Sequence, residues 1–472
     1  MSPHPDHAPV LQFLGGVGTV TGSKYLVRAG TDMVLVDAGL FQGLRELRDR
    51  NWRPMSFDPA ALDAVVVTHA HVDHAGYLPR LVAAGFRGPI YTTPSTAALL
   101  GIVLPDCAHL QEEEAAYANR KGYSKHHPAL PLFTRQDAEA TLRQISTVPF
   151  GTQHAVAEGV SLTFSRAGHI LGAATVRLQI GDDGPVVVFS GDLGRPNHPF
   201  IVPPDPPPAA DVLLVESTYG DRTHDDGDGH DELTDVIKTT VERGGSVLIP
   251  AFAVDRTEVI LHHLGLMFAA GTLPVGIPVH VDSPMALAAL NLYRQAVARG
   301  DPEIRPEVHG DRHVFDVPGL REVTDVEGSK LLNHPTEPSI VISASGMASG
   351  GRVVHHLAHW LPHRRHTVAL VGYQAEGTRG RRLLDGATEL KMLGRYVPVR
   401  AGIANVRQFS VHADAGELLD WIGALPAQPD LVCAVHGEPT ASAALARAVH
   451  DSFGWTAVVP RLDERIRLDR PT

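Results

Sequence analysis

Cysteine is nearly absent from this sequence, which has only Cys107 and Cys433 among its 472 residues. Two thiols cannot build the disulfide framework of a small secreted protein, and their scarcity fits a reducing cytosol. No apolar run approaches the roughly 18 residues that a membrane helix requires. Residues 1–5 lack the basic and apolar regions of a signal peptide. We therefore expect a soluble, cytoplasmic protein without membrane attachment.

Internal repeats, heptad runs and low-complexity tracts are also absent from the sequence. Hydrophobic residues make up 43% and charged residues 20% of the chain, a composition typical of globular proteins. A length of 472 residues exceeds one ordinary hydrophobic core, so two or three domains are expected.

A net charge of −12 counts against a generic basic coat for nucleic acid. It does not exclude a nucleic-acid substrate, because bound dications offset carboxylates and a cleft can be basic on an acidic protein. The chain has 27 histidines. Any metal site should therefore be built from imidazole and carboxylate groups, which zinc, manganese and iron accept and zinc uses most often.

Short apolar runs separated by turn residues predict strands in the first half of the chain, at residues 11–13, 24–28, 33–36, 64–67, 161–164, 175–180, 186–189 and 212–215. Residues 106–145 are expected to be mainly helical, and the acidic residues 225–232 to form a loop. From residue 246 the pattern becomes four strand-then-helix units, which predicts a parallel sheet in an inserted α/β domain. Strands are expected again at residues 397–403 and 431–435.

The most informative segment is a run of histidines and an aspartate, His69-Ala70-His71-Val72-Asp73-His74. Four ligand-type side chains within six residues do not suit one ion, but they can be divided between two neighbouring ions. Further acids and histidines lie at or just past the ends of predicted strands, where open sheets place their sites: Asp37, Asp192, Glu216 and His436. Glycine neighbours accompany the best additional ligand candidates, His169, Asp192 and His436.

At these residues the sequence resembles the metallo-β-lactamase superfamily, and more narrowly the β-CASP nucleases that process RNA. The resemblance covers nearly the whole chain and favours the short bacterial and archaeal members related to the pre-mRNA 3′-end cleavage endonuclease. It implies an α/β fold, an αβ/βα sandwich interrupted by a β-CASP domain with a parallel sheet. The implied domains are residues 1–216 and 396–472 for the metallo-β-lactamase fold and residues 217–395 for the insert.

The resemblance also implies a role for each matching residue. One metal ion would be held by His69, His71 and His169, and the other by Asp73, His74 and His436, with Asp192 bridging them. Asp37 would not bind a metal ion itself but would orient one of the ligands. His412, held by Glu216, would protonate the leaving oxygen after attack by a hydroxide bound to two Zn²⁺ ions; Mn²⁺ would fit the same ligands. A structural hydrogen bond is the alternative interpretation of the Glu216–His412 pair.

Substrate phosphates need hydrogen-bond donors, and a loop that ends one strand and opens a helix offers them: Ser345, Gly346, Gly351 and Arg352. A plain tight turn is the alternative interpretation of this loop. Arg379, Arg381 and Arg382 either line an RNA path or form a solvated helix face.

The main hypothesis is an endoribonuclease that hydrolyses single-stranded RNA. The alternatives are a 5′–3′ exoribonuclease, a hydrolase of small thioesters or lactones, and a non-catalytic RNA-processing subunit. No separate organic cofactor is expected. The sequence leaves open whether the chain forms a homodimer.

Overall fold

The chain divides into two compact units that do not follow the order of the sequence. The computed structural model describes residues 8–122, 124, 126–224, 227 and 229–469. The first unit comprises Met1–Gln42, Glu46–Thr223 and His412–Thr472, and the second comprises Gly43–Arg45 and His224–Val411. The expectation about residues 1–5 lies outside the described residues. Within those residues, no helix has the length and apolar character needed to cross a bilayer.

Two seven-stranded sheets form the framework of the first unit. The strands of the first sheet, from edge to edge, are β22 (Arg465–Arg467), β1 (Val10–Gly15), β2 (Lys24–Ala29), β3 (Asp32–Val36), β4 (Ala64–Val66), β5 (Ile90–Thr92) and β6 (Ile145–Thr147). Those of the second sheet are β21 (Ala457–Val458), β20 (Leu431–Val435), β11 (Val212–Glu216), β10 (Val186–Phe189), β9 (Ala174–Ile180), β8 (Val160–Arg166) and β7 (His154–Ala157).

The core of the first unit brings apolar side chains of both sheets together. Phe13, Val66, Phe164, Val176 and Leu214 belong to one buried cluster. In β8 buried and partly exposed residues alternate, as expected for a strand with one face in the core. Strands β4 and β11 are buried along their whole length, so their outer faces must also be covered. The helices of this unit are α1 (Arg45–Arg50, which starts in the second unit), α2 (Val72–Ala75), α3 (Leu78–Ala83), α4 (Pro94–Lys121), α5 (Arg135–Leu142), α12 (Ala415–Gly423) and α13 (Pro439–Phe453).

Helix α4 begins earlier than the sequence pattern indicated. The Thr93 hydroxyl accepts a hydrogen bond from the amide of Thr96, and Pro94 occupies the first helical position. At the other end Gly122 has a φ of 64°, which ends the helix in a left-handed turn. Of the stretch 106–145 that was predicted to be mainly helical, residues 122, 124 and 126–134 are not helical, and residues 123 and 125 lie outside the described part of the chain. Helix α5 starts after the cap residue Thr134.

The second unit is built on a six-stranded sheet in which every pair of neighbouring strands is parallel. Its strands, from edge to edge, are β14 (Leu320–Glu322), β13 (Val279–Val281), β15 (Ile340–Ser343), β12 (Val247–Pro250), β16 (Thr367–Leu370) and β19 (Gly402–Asn405). A separate antiparallel pair is formed by β17 (Glu389–Met392) and β18 (Arg395–Pro398). The helices are α6 (His230–Glu242), α7 (Arg256–Ala269), α8 (Pro284–Arg299), α9 (Val326–Leu331), α10 (Arg352–Trp360) and α11 (Arg379–Leu384).

The predicted α/β architecture, with a parallel sheet in the inserted unit, is confirmed. Two local predictions were wrong. Residues 397–403 form no single strand, because β18 ends at Pro398 and β19, which starts at Gly402, pairs with β16 in the parallel sheet. Residues 230–232 are the first turn of α6 and not a loop; residues 225, 226 and 228 of the same prediction lie outside the described part of the chain. Both cysteines are free thiols.

Candidate metal centre

The predicted ligand residues follow the strands of the first unit as the sequence pattern indicated. Asp37 comes directly after β3 and His436 directly after β20, and Glu216 is the last residue of β11. Asp37 has a φ of 60° and His436 a φ of 47°, a left-handed backbone that residues other than glycine rarely adopt. Such strain persists where the surrounding structure holds it, which is common at functional sites.

The loop that carries the histidine run is fastened by backbone hydrogen bonds. The amide of Ser23 donates to the carbonyl of Asp73 (3.0 Å), and the amide of Ala38 donates to the carbonyl of His74 (2.7 Å). Gly39 lies so close to this loop that a Cβ at that position would stand 1.6 Å from the Asp73 carbonyl oxygen. A glycine is therefore required at residue 39 for the backbone to approach the metal loop.

Four ligand-type atoms from three loops form a first donor group: His69 Nε2, His71 Nδ1, His169 Nε2 and Asp192 Oδ2. The Nδ1 atom of His71 is 3.2 Å from Nε2 of His69 and 3.2 Å from Nε2 of His169. Asp192 Oδ2 lies 3.5 Å from His69 Nε2 and 3.8 Å from His169 Nε2. All of these side chains except His71 are buried.

A second donor group lies on the other side of Asp192 and contains Asp73, His74 and His436. The Nε2 atom of His74 is 3.1 Å from Asp192 Oδ1, and that of His436 is 3.6 Å from the same oxygen. His436 Nε2 also lies 4.0 Å from Asp73 Oδ2. The two carboxylate oxygens of Asp192 therefore face different donor groups.

The spacing of the first donor group fits a metal ion. Nitrogen ligands about 2.0–2.1 Å from a tetrahedral zinc ion stand about 3.3 Å from one another. The observed separations between donor atoms of 3.2–3.8 Å are close to that value. Asp192 Oδ1 and His74 Nε2 are also buried without any hydrogen bond among the described residues. These two atoms lie 3.1 Å from each other without the geometry of a hydrogen bond. Because such burial is costly, a cation between the donor atoms would satisfy both.

Burial and charge set the protonation of these groups in a way that favours metal ligation. Burial lowers the pKa of His69 and His169 well below the usual value and that of His436 to about 3, which leaves lone pairs on neutral imidazoles. Burial acts to raise the pKa of Asp192, but the surrounding imidazoles of His436, His74 and His69 outweigh it and lower that pKa well below the usual value.

His74 is the exception among the imidazoles. Burial acts to lower its pKa, yet the carboxylates of Asp192 and Asp37 outweigh burial and raise it well above the usual value. A proton on Nε2 and a cation compete for the same position opposite Asp192 Oδ1, since that oxygen is 3.1 Å away. Binding of a divalent cation at this group would therefore release a proton.

Close polar contacts at the Nδ1 atoms orient the imidazole rings of three candidate ligands. His74 Nδ1 lies 2.7 Å from Asp37 Oδ2, which also accepts a hydrogen bond from the Thr68 hydroxyl at 2.9 Å. That hydroxyl is 3.0 Å from His69 Nδ1, so one network supports two rings. Ser23 Oγ lies 2.8 Å from His436 Nδ1. In each case the second ring nitrogen is engaged, which leaves Nε2 directed at the donor group.

His412 and Glu216 lie beside the donor groups. His412 Nδ1 is 3.3 Å from Glu216 Oε1 and 4.0 Å from Asp192 Oδ2. The backbone bridge between Gly194 and His412, together with the hydrogen bond from the Ala413 amide to the Leu193 carbonyl (2.8 Å), fixes this arrangement. The structure thus brings together, in the first unit, the seven predicted ligands, the predicted acid His412 and its partner Glu216. Asp37 lies beside them in contact with His74.

Three family models match successive parts of the chain. The metallo-β-lactamase superfamily matches residues 17–251, the Beta-Casp domain residues 257–383, and the Zn-dependent metallo-hydrolase RNA specificity domain residues 396–460. The chain is 38% identical over 425 residues to Ribonuclease TTHA0252 of Thermus thermophilus, with 90% of this chain and 92% of the relative aligned. The chain belongs to the β-CASP family of the metallo-β-lactamase superfamily.

Other relatives agree with this assignment. The transcription termination factor FttA of Pyrococcus abyssi is 31% identical over 477 residues, which cover 96% of this chain and 70% of the archaeal protein. A crystal structure of a protein of unknown function from Enterococcus faecalis covers 97% of this chain and 99% of its own, with a TM-score of 0.50 and 14% identity. That likeness concerns the fold alone. The predicted family and fold class are confirmed, and the chain is a metallo-hydrolase of a family that processes RNA.

The four predicted phosphate-contact residues of this β-CASP protein lie in its second unit, after β15 and at the start of α10. Gly351 has a φ of 74°, as a glycine-specific turn requires. At Gly346 a Cβ would lie 2.9 Å from the amide nitrogen of Phe252, so packing explains this glycine. Arg352 donates to Asp282 Oδ1 (2.7 Å) and to the carbonyls of Val323 and Thr324. Its guanidinium therefore holds neighbouring segments together, and a phosphate contact of this loop would rest on Ser345 and backbone amides.

Several residues that shape the β-CASP site were not predicted from the sequence. Thr68 directly precedes the histidine run, and a polar residue between a buried strand and a ligand was a signal that could have identified it. Ser23 and His436 are 413 residues apart, and Arg195 and Glu417, which form an ion pair (3.2 Å), are 222 residues apart. Sequence spacing carries no signal for such pairs.

Proposed function

We propose that this chain is a metal-dependent ribonuclease that cleaves single-stranded RNA endonucleolytically. The observation that carries the proposal is the shared carboxylate of Asp192, which has one oxygen toward each donor group and lies beside His412. The names of two relatives, a ribonuclease and a transcription termination factor, support an RNA substrate.

In the proposed site, His69, His71 and His169 would hold one cation, Asp73, His74 and His436 would hold the other, and Asp192 would contribute one oxygen to each. Zinc suits this set of imidazole and carboxylate donors, and manganese is the second choice. When bound, two divalent cations would activate water at neutral pH and neutralise charge on the scissile phosphate.

The proton for the leaving oxygen is assigned to His412. Its Nδ1 atom faces Glu216 Oε1 at 3.3 Å, so we assign proton transfer to the Nε2 atom. A carboxylate partner favours the protonated imidazole and fixes the ring plane. Glu216 is itself held by the amide of Leu193 at 2.6 Å. Asp37 acts through His74, as the orienting group behind a ligand.

The domain boundaries proposed from the resemblance, residues 1–216, 217–395 and 396–472, assign the metal chemistry to the outer segments and RNA contacts to the insert. In the insert, Ser345 and the loop up to Gly351 are the proposed phosphate contacts. Gly351 precedes α10, a helix of nine residues, whose first amides favour an anion.

The experiment that tests the proposed function is cleavage of a 5′-labelled single-stranded RNA by the purified full chain, with a DNA strand of the same sequence as control. The matched variant is Asp73→Asn, which removes one ligand charge and keeps the side-chain size. Internal fragments from RNA alone, absent with Asp73→Asn, support the endoribonuclease. Stepwise loss of 5′ nucleotides would indicate the exonuclease, and intact RNA with both metals bound would refute the proposal and favour thioesters, lactones or a non-catalytic role.

A further inference from the structure

The loop of residues 344–351, which joins β15 to α10 in the second unit, has its carbonyl groups turned to one side. Four successive carbonyls accept hydrogen bonds from the segment 374–380: Gly346 from Gln374 Nε2 (3.0 Å), Met347 from the amide of Gly380 (3.2 Å), and Ala348 and Ser349 from Arg379 Nη1 (3.2 and 2.9 Å). The carbonyl and the next amide of a trans peptide point in opposite directions. The amides of Met347 and Gly350 therefore face away from that segment, and neither has a hydrogen-bond partner among the described residues. On that side the loop would offer donors to an anion such as phosphate.

This arrangement of the loop needs support from its surroundings. Ala348 is buried and has a φ of 56°, which residues other than glycine rarely adopt. Its amide donates to the carbonyl of Ser345 (2.9 Å), and the amide of Ser349 donates to Ser345 Oγ (3.3 Å). A backbone of this kind persists only where the rest of the structure fixes it. The residues that hold the two ends of the loop therefore control its conformation.

Asp282 contacts both ends of this loop. It directly follows β13, and its side chain is fully buried. Its backbone carbonyl accepts a hydrogen bond from the hydroxyl of Ser343 (3.1 Å), the last residue before the loop. Its carboxylate oxygen Oδ1 accepts one from Nη1 of Arg352 (2.7 Å), the first residue after the loop. One residue thus fixes the points at which the chain enters and leaves the loop.

The carboxylate of Asp282 is also held on its other side. Oδ2 lies 2.6 Å from His356 Nε2 and accepts a hydrogen bond from the hydroxyl of Ser329 (2.6 Å). Burial acts to raise the pKa of Asp282, but the hydrogen bonds with His356, Ser329 and Arg352 outweigh burial and lower that pKa below its usual value. The ionised carboxylate neutralises the guanidinium of Arg352 and anchors the first two turns of α10.

We propose that Asp282 is a positioning residue for substrate binding, which holds Ser343 and Arg352 so that the amides of the loop 344–351 are directed at a substrate phosphate. Asp282 does not touch the substrate itself, because its side chain is fully buried. It acts through the loop, whose shape it sets before the substrate arrives. The proposal deepens the proposed function and rests on it in one respect, the phosphate contact of this loop.

Two measurements on the full chain test this role: hydrogen exchange of the loop by mass spectrometry without RNA, and steady-state kinetics with single-stranded RNA. Asp282→Asn keeps the side-chain size and removes the charge opposite Arg352. Arg352→Lys keeps the charge but cannot donate at once to Asp282 and to the two carbonyls that Arg352 also binds. Ser343→Ala removes the contact at the start of the loop. The matched control is Ser246→Ala, because Ser246 is a buried serine at the opposite end of the same sheet, with a hydroxyl that accepts the amide of Ser339 (3.2 Å).

We expect the amides of Ala348 and Ser349 to exchange roughly tenfold faster in Asp282→Asn and Arg352→Lys, the effect of losing a hydrogen bond between charged groups. Ser343→Ala should increase the rate roughly threefold, since a neutral hydrogen bond is lost. In Asp282→Asn the KM for RNA should rise roughly tenfold while kcat stays within about twofold, because only substrate binding depends on the loop. Ser246→Ala should change neither the exchange of the loop nor KM.

Unchanged exchange of the loop in the variants, or an equal change in Ser246→Ala, would overturn the proposal. Faster exchange with an unchanged KM would overturn it as well, because the loop would then not bind the substrate. If Asp282→Asn does not fold, Arg352→Lys and Ser343→Ala decide the question, since both leave Asp282 in place.

Exchange is measured without RNA, so this proposal and the ribonuclease fail separately. Absence of cleavage by the unmodified chain would refute the ribonuclease, whereas faster exchange of the loop would still support the control of its conformation by Asp282. Cleavage by the unmodified chain with unchanged exchange and KM in all variants would do the reverse.

Discussion

A single oxygen of Glu216 serves both the backbone and the proposed acid. Oε1 accepts the amide of Leu193 at 2.6 Å and lies 3.3 Å from Nδ1 of His412, while Leu193 directly follows Asp192. The carboxylate that orients the imidazole is therefore fixed by the same loop that carries the bridging ligand. A displacement of Asp192 would therefore shift Leu193 and Glu216 and change the orientation of the His412 ring.

The first prediction concerns this pair. His412→Ala should lower kcat for RNA cleavage by about 10²–10⁴-fold, the usual contribution of a general acid, and leave bound metal unchanged by elemental analysis. Glu216→Gln should lower kcat less than His412→Ala, because the amide keeps the size of the side chain but removes the charge that faces the imidazole. Unaltered kcat in His412→Ala would remove this residue from the mechanism.

The second prediction concerns the ion pair of Arg195 and Glu417, whose side chains are 12% and 20% exposed. Glu417 also caps α12 together with Asp414, two residues after His412. Glu417→Gln keeps a capping side chain but removes the charge that faces Arg195. We expect kcat to fall roughly tenfold with little change in KM, since a small misplacement of His412 is costly. A change of KM alone, or loss of helix by circular dichroism, would contradict a positioning role.

The third prediction concerns Asp37. In Asp37→Asn an amide group would face the donors of Thr68 and His74, so the support of His74 is lost. We expect metal affinity to fall by about 10–100-fold, measured by competition with a chromophoric chelator. Asp420→Asn, which alters an exposed aspartate of the same unit, is the control and should bind metal normally. Equal affinities of the Asp37 variant and the control would show that Asp37 does not support a ligand.

The fourth prediction concerns removal of metal. A ligand present at 100 times its dissociation constant stabilises a protein by about 2.7 kcal/mol. A chelator should therefore lower the Tm of the full chain by about 3 °C, since an entropy of unfolding of about 2.1 cal/mol/K per residue makes 1 kcal/mol correspond to about 1 °C in a chain of 472 residues. Added Zn²⁺ should restore it. In Asp192→Asn the chelator should have a much smaller effect, and an undiminished shift there would place the stabilising metal elsewhere.

The fifth prediction concerns Lys24, whose ammonium is buried between the rings of Phe41 and Tyr77, 4.5 Å from each centre, and donates to the Gly39 carbonyl. Burial lowers its pKa from 10.5 to about 7. Between these values the unfolded chain binds more protons than the folded one, so this lysine makes the free energy of unfolding rise with pH from about 7 to 10.5.

Lys24→Met removes that dependence. We expect the variant to be more stable than the parent at pH 7 and to lose the advantage by pH 10.5, with a total change of up to about 5 kcal/mol at 1.36 kcal/mol per pKa unit. Urea unfolding across this range measures the difference, and Lys238→Met, at an exposed site, should show none. If the free energy of unfolding depends on pH in the same way for the parent and for Lys24→Met, Lys24 stays charged in the folded protein. The two rings and the Gly39 carbonyl would then stabilise its ammonium group.

The clustering of the proposed ligands could be predicted from the sequence because these residues are concentrated in one run and at strand ends. Asp37, Asp192, Glu216 and His436, at or just past the ends of strands, indicate a common edge even before the strands are ordered in space. The supporting groups could not be predicted in the same way. Ser23 supports His436 only because the turn between β1 and β2 lies beside the end of β20, and that neighbourhood depends on the order in which two sheets pack.

Local patterns misassigned one stretch of the second unit, and they did not show which groups a predicted phosphate-contact residue already binds. The apolar residues within 397–403 resemble one strand, but Pro398 ends β18, and the chain enters the parallel sheet only at Gly402. Arg352 was predicted to contact phosphate because it is a basic residue at the start of a helix. Its three internal acceptors, Asp282 Oδ1 and two carbonyls, come from β-strand ends and turns that are distant in sequence. Which basic side chains are already engaged is a property of the tertiary structure.

The division of the first unit into three segments has a consequence for protein synthesis. The ribosome makes His69, His71, His169 and Asp192 early, but it makes His412 and His436 only after the whole of the second unit. A nascent chain therefore has one complete donor group while it lacks both the last ligand of the second and the proposed acid. Under the proposed function, it cannot cut the messenger to which it is still attached until His412 and His436 have been synthesised and have joined the first unit.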